Sequence, residues 1–188
     1  MRWQQLFADL QAQFEEEEAA GVRAESASRT RAEVGAIRFA DRLAGAVGMP
    51  VVLGCGPAGQ VSGVLLDVGA DWLLVTDDRR ETLVASAAVR SVSGLGRRTA
   101  APEPPGPVRV RFDLRRALRG LARDRAAVQL VLDDGVVLAG TVDRVGADYV
   151  ELAEHPAGEL RRAEVVQGVR AVVLTAVAVV RTLPPGLG

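Results

Sequence analysis

Val68-Gly69-Ala70-Asp71-Trp72 returns as Val145-Gly146-Ala147-Asp148-Tyr149, 77 positions downstream and without a gap. The same spacing sets Gly63 against Gly140, Leu83 against Leu160, Val89 against Val166 and Val92 against Val169. A block that recurs at a fixed period marks copies of one supersecondary unit. Around the first copy, Val51–Leu53, Gln60–Val68, Trp72–Thr76, Thr82–Ser86 and Val89–Val92 are short valine- and leucine-rich runs separated by glycine and acidic turns, the pattern of successive strands. Val128–Leu132, Val136–Val142, Tyr149–Ala153, Leu160–Arg162 and Val165–Leu174 form the second series. Inside the repeated block, Gly69 and Gly146 are expected to supply unusual backbone angles, while the carboxylates of Asp71 and Asp148 cap nearby amides. These four residues read as structural turns rather than catalytic groups.

Helices precede both series. Trp3, Leu6, Phe7, Leu10 and Phe14 recur at spacings of three and four, which places them on one stripe. After the acidic run Glu15–Glu18, Gly21 is a plausible break. A second helical pattern then runs from about Ser28 to Val47, with Val34, Ile37, Ala40, Ala44 and Val47 facing one way, and stops at Gly48-Met49-Pro50. Ahead of the second series, Asp113 is an N-cap for a helix to Arg123 that turns Leu114, Ala117, Leu118 and Leu121 inward. Val108–Phe112 alternates at period two, which suits an extra strand. Four prolines and one glycine between Arg97 and Pro107 mark a linker with an exposed centre. The expected organisation is a helical segment (1–48), a first module (49–96), the linker (97–107), a second module with its leading strand and helix (108–181) and a tail (182–188).

A chain of 188 residues that is 48% hydrophobic can bury a real core. All 23 basic residues are arginine and lysine is absent, a bias of the kind encoded by GC-rich bacterial genomes. The net charge of −1 creates no global field for nucleic acid or an anionic membrane, so any such site is local. One cysteine, Cys55, and one histidine, His155, leave no disulfide framework and too few soft ligands for zinc. No secretory leader or membrane segment is evident in the pattern, and the expected location is cytoplasmic.

Val51–Gly59 contains a literal G-x-G-x-x-G after a strand, the opening of a flavin- or NAD-binding site and the weakest of the functional alternatives. That chemistry needs a helix after the glycines to bind the pyrophosphate. Gln60–Asp67 reads as strand instead, and 77 residues on the run aligns with an Asp-Gly hairpin turn at Asp134-Gly135. Cys55 has no evident base, His155 precedes Pro156 in an expected exposed loop, and no serine sits in a nucleophile elbow. The reading is therefore of a protein that is not an enzyme and has no cofactor, metal or small-molecule substrate.

Gly59–Leu65 with Ala87–Val92, and Gly135–Val142 with Val165–Val169, carry a resemblance to Sm/LSm-like (SH3-like) small β-barrels. The resemblance implies an α+β, mainly β chain: N-terminal helices, then two tandem five-stranded barrels, each preceded by a helix. It also implies oligomers that bind RNA. The chain departs from the family at the late turn, where Ser86-Ala87-Ala88 and Arg162-Ala163-Glu164 stand in place of a lysine-histidine pair. Aromatics, at 4%, are scarce for base stacking. The function expected is a non-catalytic binding or assembly module, with an unidentified protein partner or self-association through Trp3, Leu6, Phe7, Leu10 and Phe14. The alternative partner is RNA, met by Arg97 and Arg98 and by the helical stripe Arg115, Arg116, Arg119 and Arg123.

Overall fold

The computed structural model describes residues 3–77, 80–100, 112–157 and 164–183, with the side chains of 3–10 and 27 left aside. The chain divides into two compact units, Met1–Phe39 and Ala40–Gly188.

The first unit is one helix, α1 (Trp3–Ala36), which runs through Gly21 without the expected break. A mid-helix glycine costs only about 1 kcal/mol relative to alanine, and Glu25 and Arg29, 3.0 Å apart one turn from each other, add local support. Every described side chain from Gln11 to Ala36 is exposed, Phe14 at 75%. The helical pattern expected across Ser28–Val47 is interrupted at Ile37-Arg38 and resumes as the short α2 (Phe39–Ala44). Its expected inward face is replaced as well: Val34, Ile37 and Val47 are exposed, and Leu43 and Ala46 are the residues that pack.

The second unit is α+β and mainly β. Its strands are β1 (Pro50–Gly54), β2 (Gln60–Val68), β3 (Trp72–Thr76), β4 (Glu81–Ala85), β5 (Ser91–Ser93), β6 (Ala127–Leu132), β7 (Val137–Val145), β8 (Tyr149–Glu154), β9 (Gly168–Val173) and β10 (Val177–Thr182), with α3 (Leu114–Arg123) between β5 and β6. They form one antiparallel sheet in the order β5-β1-β2-β3-β4-β10-β6-β7-β8-β9. The sheet does not close into a barrel. The expectation of two separate barrels gives way to a continuous sheet, because β10 pairs with β4 on one side and β6 on the other. One apolar core runs beneath it, from Leu53, Leu65 and Leu73 to Leu130, Val142 and Leu152. α3 covers β7 through Leu114 and Leu118, and its start is capped as expected, Asp113 accepting from the Arg116 amide.

The two runs of five strands follow the same order along the sheet, and pairing registers show where the 77-residue spacing holds. Val51 lies opposite Gly63 and Val128 opposite Gly140; at each glycine a side chain would drive into a backbone oxygen, that of Thr76 or of Ala153. The spacing then breaks. Leu73 pairs with Val84 and Val150 with Val172, so the strands after the next loop are 88 residues apart rather than 77. The extra residues lie between β8 and β9. Consequently the places of Val89 and Val92 are held by Val177 and Val180, not Val166 and Val169, and the strand expected at Val165–Leu174 is β9, the fourth of its series. The fifth is β10. Leu160–Arg162, most of Val108–Phe112 and the centre of the linker lie outside the described residues. The linker's start is not free: Arg42 donates to the carbonyls of Gly96 and Arg98 at 2.6 and 2.9 Å.

Candidate interaction surface at the sheet edge

β9 is a terminal strand of the sheet, and its exposure is unlike that of β4, which occupies the same position in the first series. In β4, Thr82 is 6% exposed, Val84 is fully buried and Ala85 is 7% exposed, because β10 lies over their edge. The residues in register with Glu81–Ala85 are Val169–Val173. Among them only Val172 is buried; Val169 is 61% and Val173 56% exposed, and Arg170 and Ala171 are exposed too. Arg170 is held flat on the sheet by Glu154 across the strand pair, with Nε–Oε1 at 2.6 Å and Nη2–Oε2 at 3.3 Å. Such bidentate pairing fixes the guanidinium plane. At the other end of the sheet β5 offers Ser91, Val92 and Ser93, of which only Val92 is half-buried.

The repeated turns are built by packing. Neither Gly69 nor Gly146 has a positive φ. Each is glycine because the following aromatic ring, Trp72 or Tyr149, lies against its Cα, where a Cβ would overlap the ring. The two amides donate to the carbonyls of those aromatics at 2.8 Å. Asp71 caps an amide, but a distant one: its Oδ1 accepts from Leu114 at 2.8 Å and so ties the first β-turn to the start of α3. The carbonyls of Asp71 and Asp148 accept from Ser86 and Leu174, so the turn matching Ser86–Ala88 is Leu174–Ala176 and not Arg162–Glu164. Replacing Gly69 by alanine should cost about 1–3 kcal/mol through this overlap. Gly146→Ala should cost less, since Tyr149 is 38% exposed and can swing outward. Urea midpoints of the two variants check the order.

Between these turns lies a cleft of about 350 Å³, lined among others by Asp71, Arg90, Asp113, Arg115, Asp133 and Thr175. Arg115, Arg116, Arg119 and Arg123 border a broader depression of about 530 Å³ along α3. Arg115 and Arg123 also pair locally with Asp113 and Asp124 at 3.5 and 3.4 Å. Arg97 and Arg98 are exposed. Of the aromatic stripe only Phe14 has a described side chain; Trp3, Leu6, Phe7 and Leu10 lie in α1 with side chains outside the described set.

Gly54–Gly59 turns through a single 3₁₀ segment, Gly56–Ala58, directly into β2, and Gly54 pairs with Gln60. The glycines therefore join two antiparallel strands and open no phosphate-binding helix. Cys55 is buried, and burial pushes its thiol above the ordinary value against the opposing pull of Arg181 and Arg90. His155, expected in an exposed loop, is 3% exposed. Its Nδ1 lies 3.1 Å from the Pro156 carbonyl and its Nε2 2.9 Å from Thr141 Oγ1. The carbonyl can only accept, so Nδ1 carries the hydrogen and, in the neutral ring, Nε2 accepts from the threonine hydroxyl. The histidine is a strut between β7 and the loop after β8.

No helix among the described residues is long and apolar enough to cross a membrane. No model of a known protein family matches the chain, and no curated protein matches it.

Proposed function

We propose that the chain is a non-catalytic assembly module of the cytoplasm, built from two related Sm-like halves joined through β4 and β10. Support for relatedness comes from the common strand order, the backbone-contacting Gly63 and Gly140, and the ring-covered Gly69 and Gly146. The observation that carries the binding role is the exposed apolar surface of the open β9 edge, Val169 at 61% and Val173 at 56%. Among the described residues no strand pairs with the outer edge of β9, and an unpaired edge presents a row of amides and carbonyls ready to accept another strand. Sedimentation of the purified chain should give a mass above the 19.8 kDa of one copy, or a stable complex with a protein retained after nuclease treatment. A monomer at all concentrations that retains no protein overturns the reading.

A second reading, RNA binding, is favoured by the four arginines gathered around one depression on α3. If all four meet phosphates, the affinity for a single-stranded RNA falls with a log–log salt slope of roughly −3. Filter binding that is undetectable at low salt removes this reading.

A further inference from the structure

A helix gains most of its stability by packing an apolar face on something else. α1 makes up nearly the whole of the first unit, and its described side chains are exposed, among them Phe14 at 75%, Val22 at 63% and Val34 at 62%. The stripe that begins Trp3, Phe7, Leu10 and Phe14 continues, at the same alternation of four and three, through Glu17, Gly21, Ala24, Ser28, Arg31 and Gly35. That alternation is a heptad seam. Its first half is set with large residues and its second half mostly with small ones. Charge divides along the helix in the same way: Trp3–Ala20 holds five carboxylates, Asp9 and Glu15–Glu18, and no base, whereas Gly21–Ala36 holds three arginines and two glutamates.

We propose that α1 pairs antiparallel with α1 of a second copy, setting Trp3 against Gly35, Phe7 against Arg31, Leu10 against Ser28, Phe14 against Ala24 and Glu17 against Gly21, each pair occurring twice about a two-fold axis. The proposal goes beyond the assembly reading, which stands on the β9 edge, and names the chain itself as the occupant of a different surface. This register keeps the heptad alternation and overlaps the two helices along almost their whole length. Four of its five distinct layers place a larger side chain against a smaller one, so the layers interdigitate; the fifth lays the Arg31 guanidinium on the ring of Phe7. Beside the seam, Leu6 meets the exposed Val34. Electrostatics select the direction. A parallel pair stacks five carboxylates on five, whereas the antiparallel pair sets each acidic half beside a half that carries arginines, and leaves one like-charge contact, Glu18 with its own counterpart at the axis. A bilayer is the poorer occupant: between Trp3 and Val22 no basic residue is present to meet lipid phosphates, and four glutamates follow Phe14 directly.

Single cysteines in the full chain test both contact and direction. In this register Ala20 faces Ala20 across the axis, while the two Ser28 positions stand 18 residues apart along it, about 27 Å. A short bismaleimide should therefore join Ala20→Cys into a covalent dimer and leave Ser28→Cys monomeric; the wild type, whose only cysteine is the buried Cys55, should not react. In sedimentation equilibrium, Phe14→Ala should weaken the dimer about tenfold, and Glu18→Gln should tighten it by up to about fivefold through loss of the like-charge contact. Circular dichroism at high concentration verifies that each variant keeps its helix. Cross-linking of Ser28→Cys as readily as Ala20→Cys means a parallel pair and overturns the proposal. A monomeric chain that does not cross-link also overturns it, and flotation of that monomer with phosphatidylcholine vesicles would give the helix a lipid surface instead. Val173→Arg, on β9, separates this proposal from the assembly reading. A dimer abolished by Val173→Arg but unmoved by Phe14→Ala sinks the helix pair and leaves the strand edge standing; the opposite result supports the helix pair and removes β9 as the site.

Discussion

Replacing Trp72 with alanine should lower the unfolding free energy by about 3–5 kcal/mol, the range for removing a buried large aromatic. Three losses combine at this one side chain. The ring is 6% exposed and shields Gly69; it meets Phe112 edge to face, with centroids 6.0 Å apart; and its Nε1–H donates to the Phe112 carbonyl at 2.6 Å. That carbonyl immediately precedes the cap of α3, so the truncation also loosens the helix from the sheet. Tyr149→Ala, at the matching position, should cost only about 1 kcal/mol, an ordinary value for a half-exposed site. Urea denaturation of both variants checks the contrast, and equal losses would refute it. Trp72→Phe is an informative intermediate: it keeps most of the cover and leaves one carbonyl without its donor, worth about 1 kcal/mol.

Leu118→Ala is the second large effect, with an expected loss of about 2–5 kcal/mol. Leu118 is fully buried where α3 rests on β7, between the capped start of the helix and the half-buried Leu121. Arg119, the next residue, is exposed, and Arg119→Ala should leave stability within about 0.5 kcal/mol of the wild type. The pair therefore separates the structural face of α3 from its basic face. Should Arg119→Ala prove as destabilising as Leu118→Ala, the helix is seated differently. The same Arg119→Ala protein, being folded, is the appropriate reagent for the RNA salt series.

Strand identity was legible wherever the apolar run was short and flanked by glycine or aspartate. Gln60–Val68 and Trp72–Thr76 could be read to the residue, since their alternation and turns are local properties. Which strands would lie side by side was not legible. The pairing of β10 with β4 brings together Val180 and Leu83, far apart in the chain, and no local pattern encodes such a contact. The β9 edge escaped for a different reason. A repeat spacing fixed on Val68–Trp72 assigns Leu160 to the fourth strand, whereas a longer loop carries that strand on to Gly168–Val173. A signal for the correct spacing does exist: Val84, Ala88, Val89 and Val92 match Val172, Ala176, Val177 and Val180, all 88 apart. His155 misled in the opposite sense, because a histidine before proline suggests an exposed loop until Thr141 is seen to supply its hydrogen bond. Gly69 was chosen by the ring packed on it, a constraint invisible before Trp72 is placed.

The placement of β10 also governs how the molecule is born. The strand at the middle of the sheet comes after the other nine described strands in chain order, ending at Thr182. At a synthesis rate of about 5–20 residues per second, the nascent chain waits roughly 5–20 s between completing β4 at Ala85 and completing the strand that covers it. Throughout that interval Val84 borders a bare edge, so a stalled or prematurely terminated product carries two open margins on its first five strands where the finished sheet buries one of them.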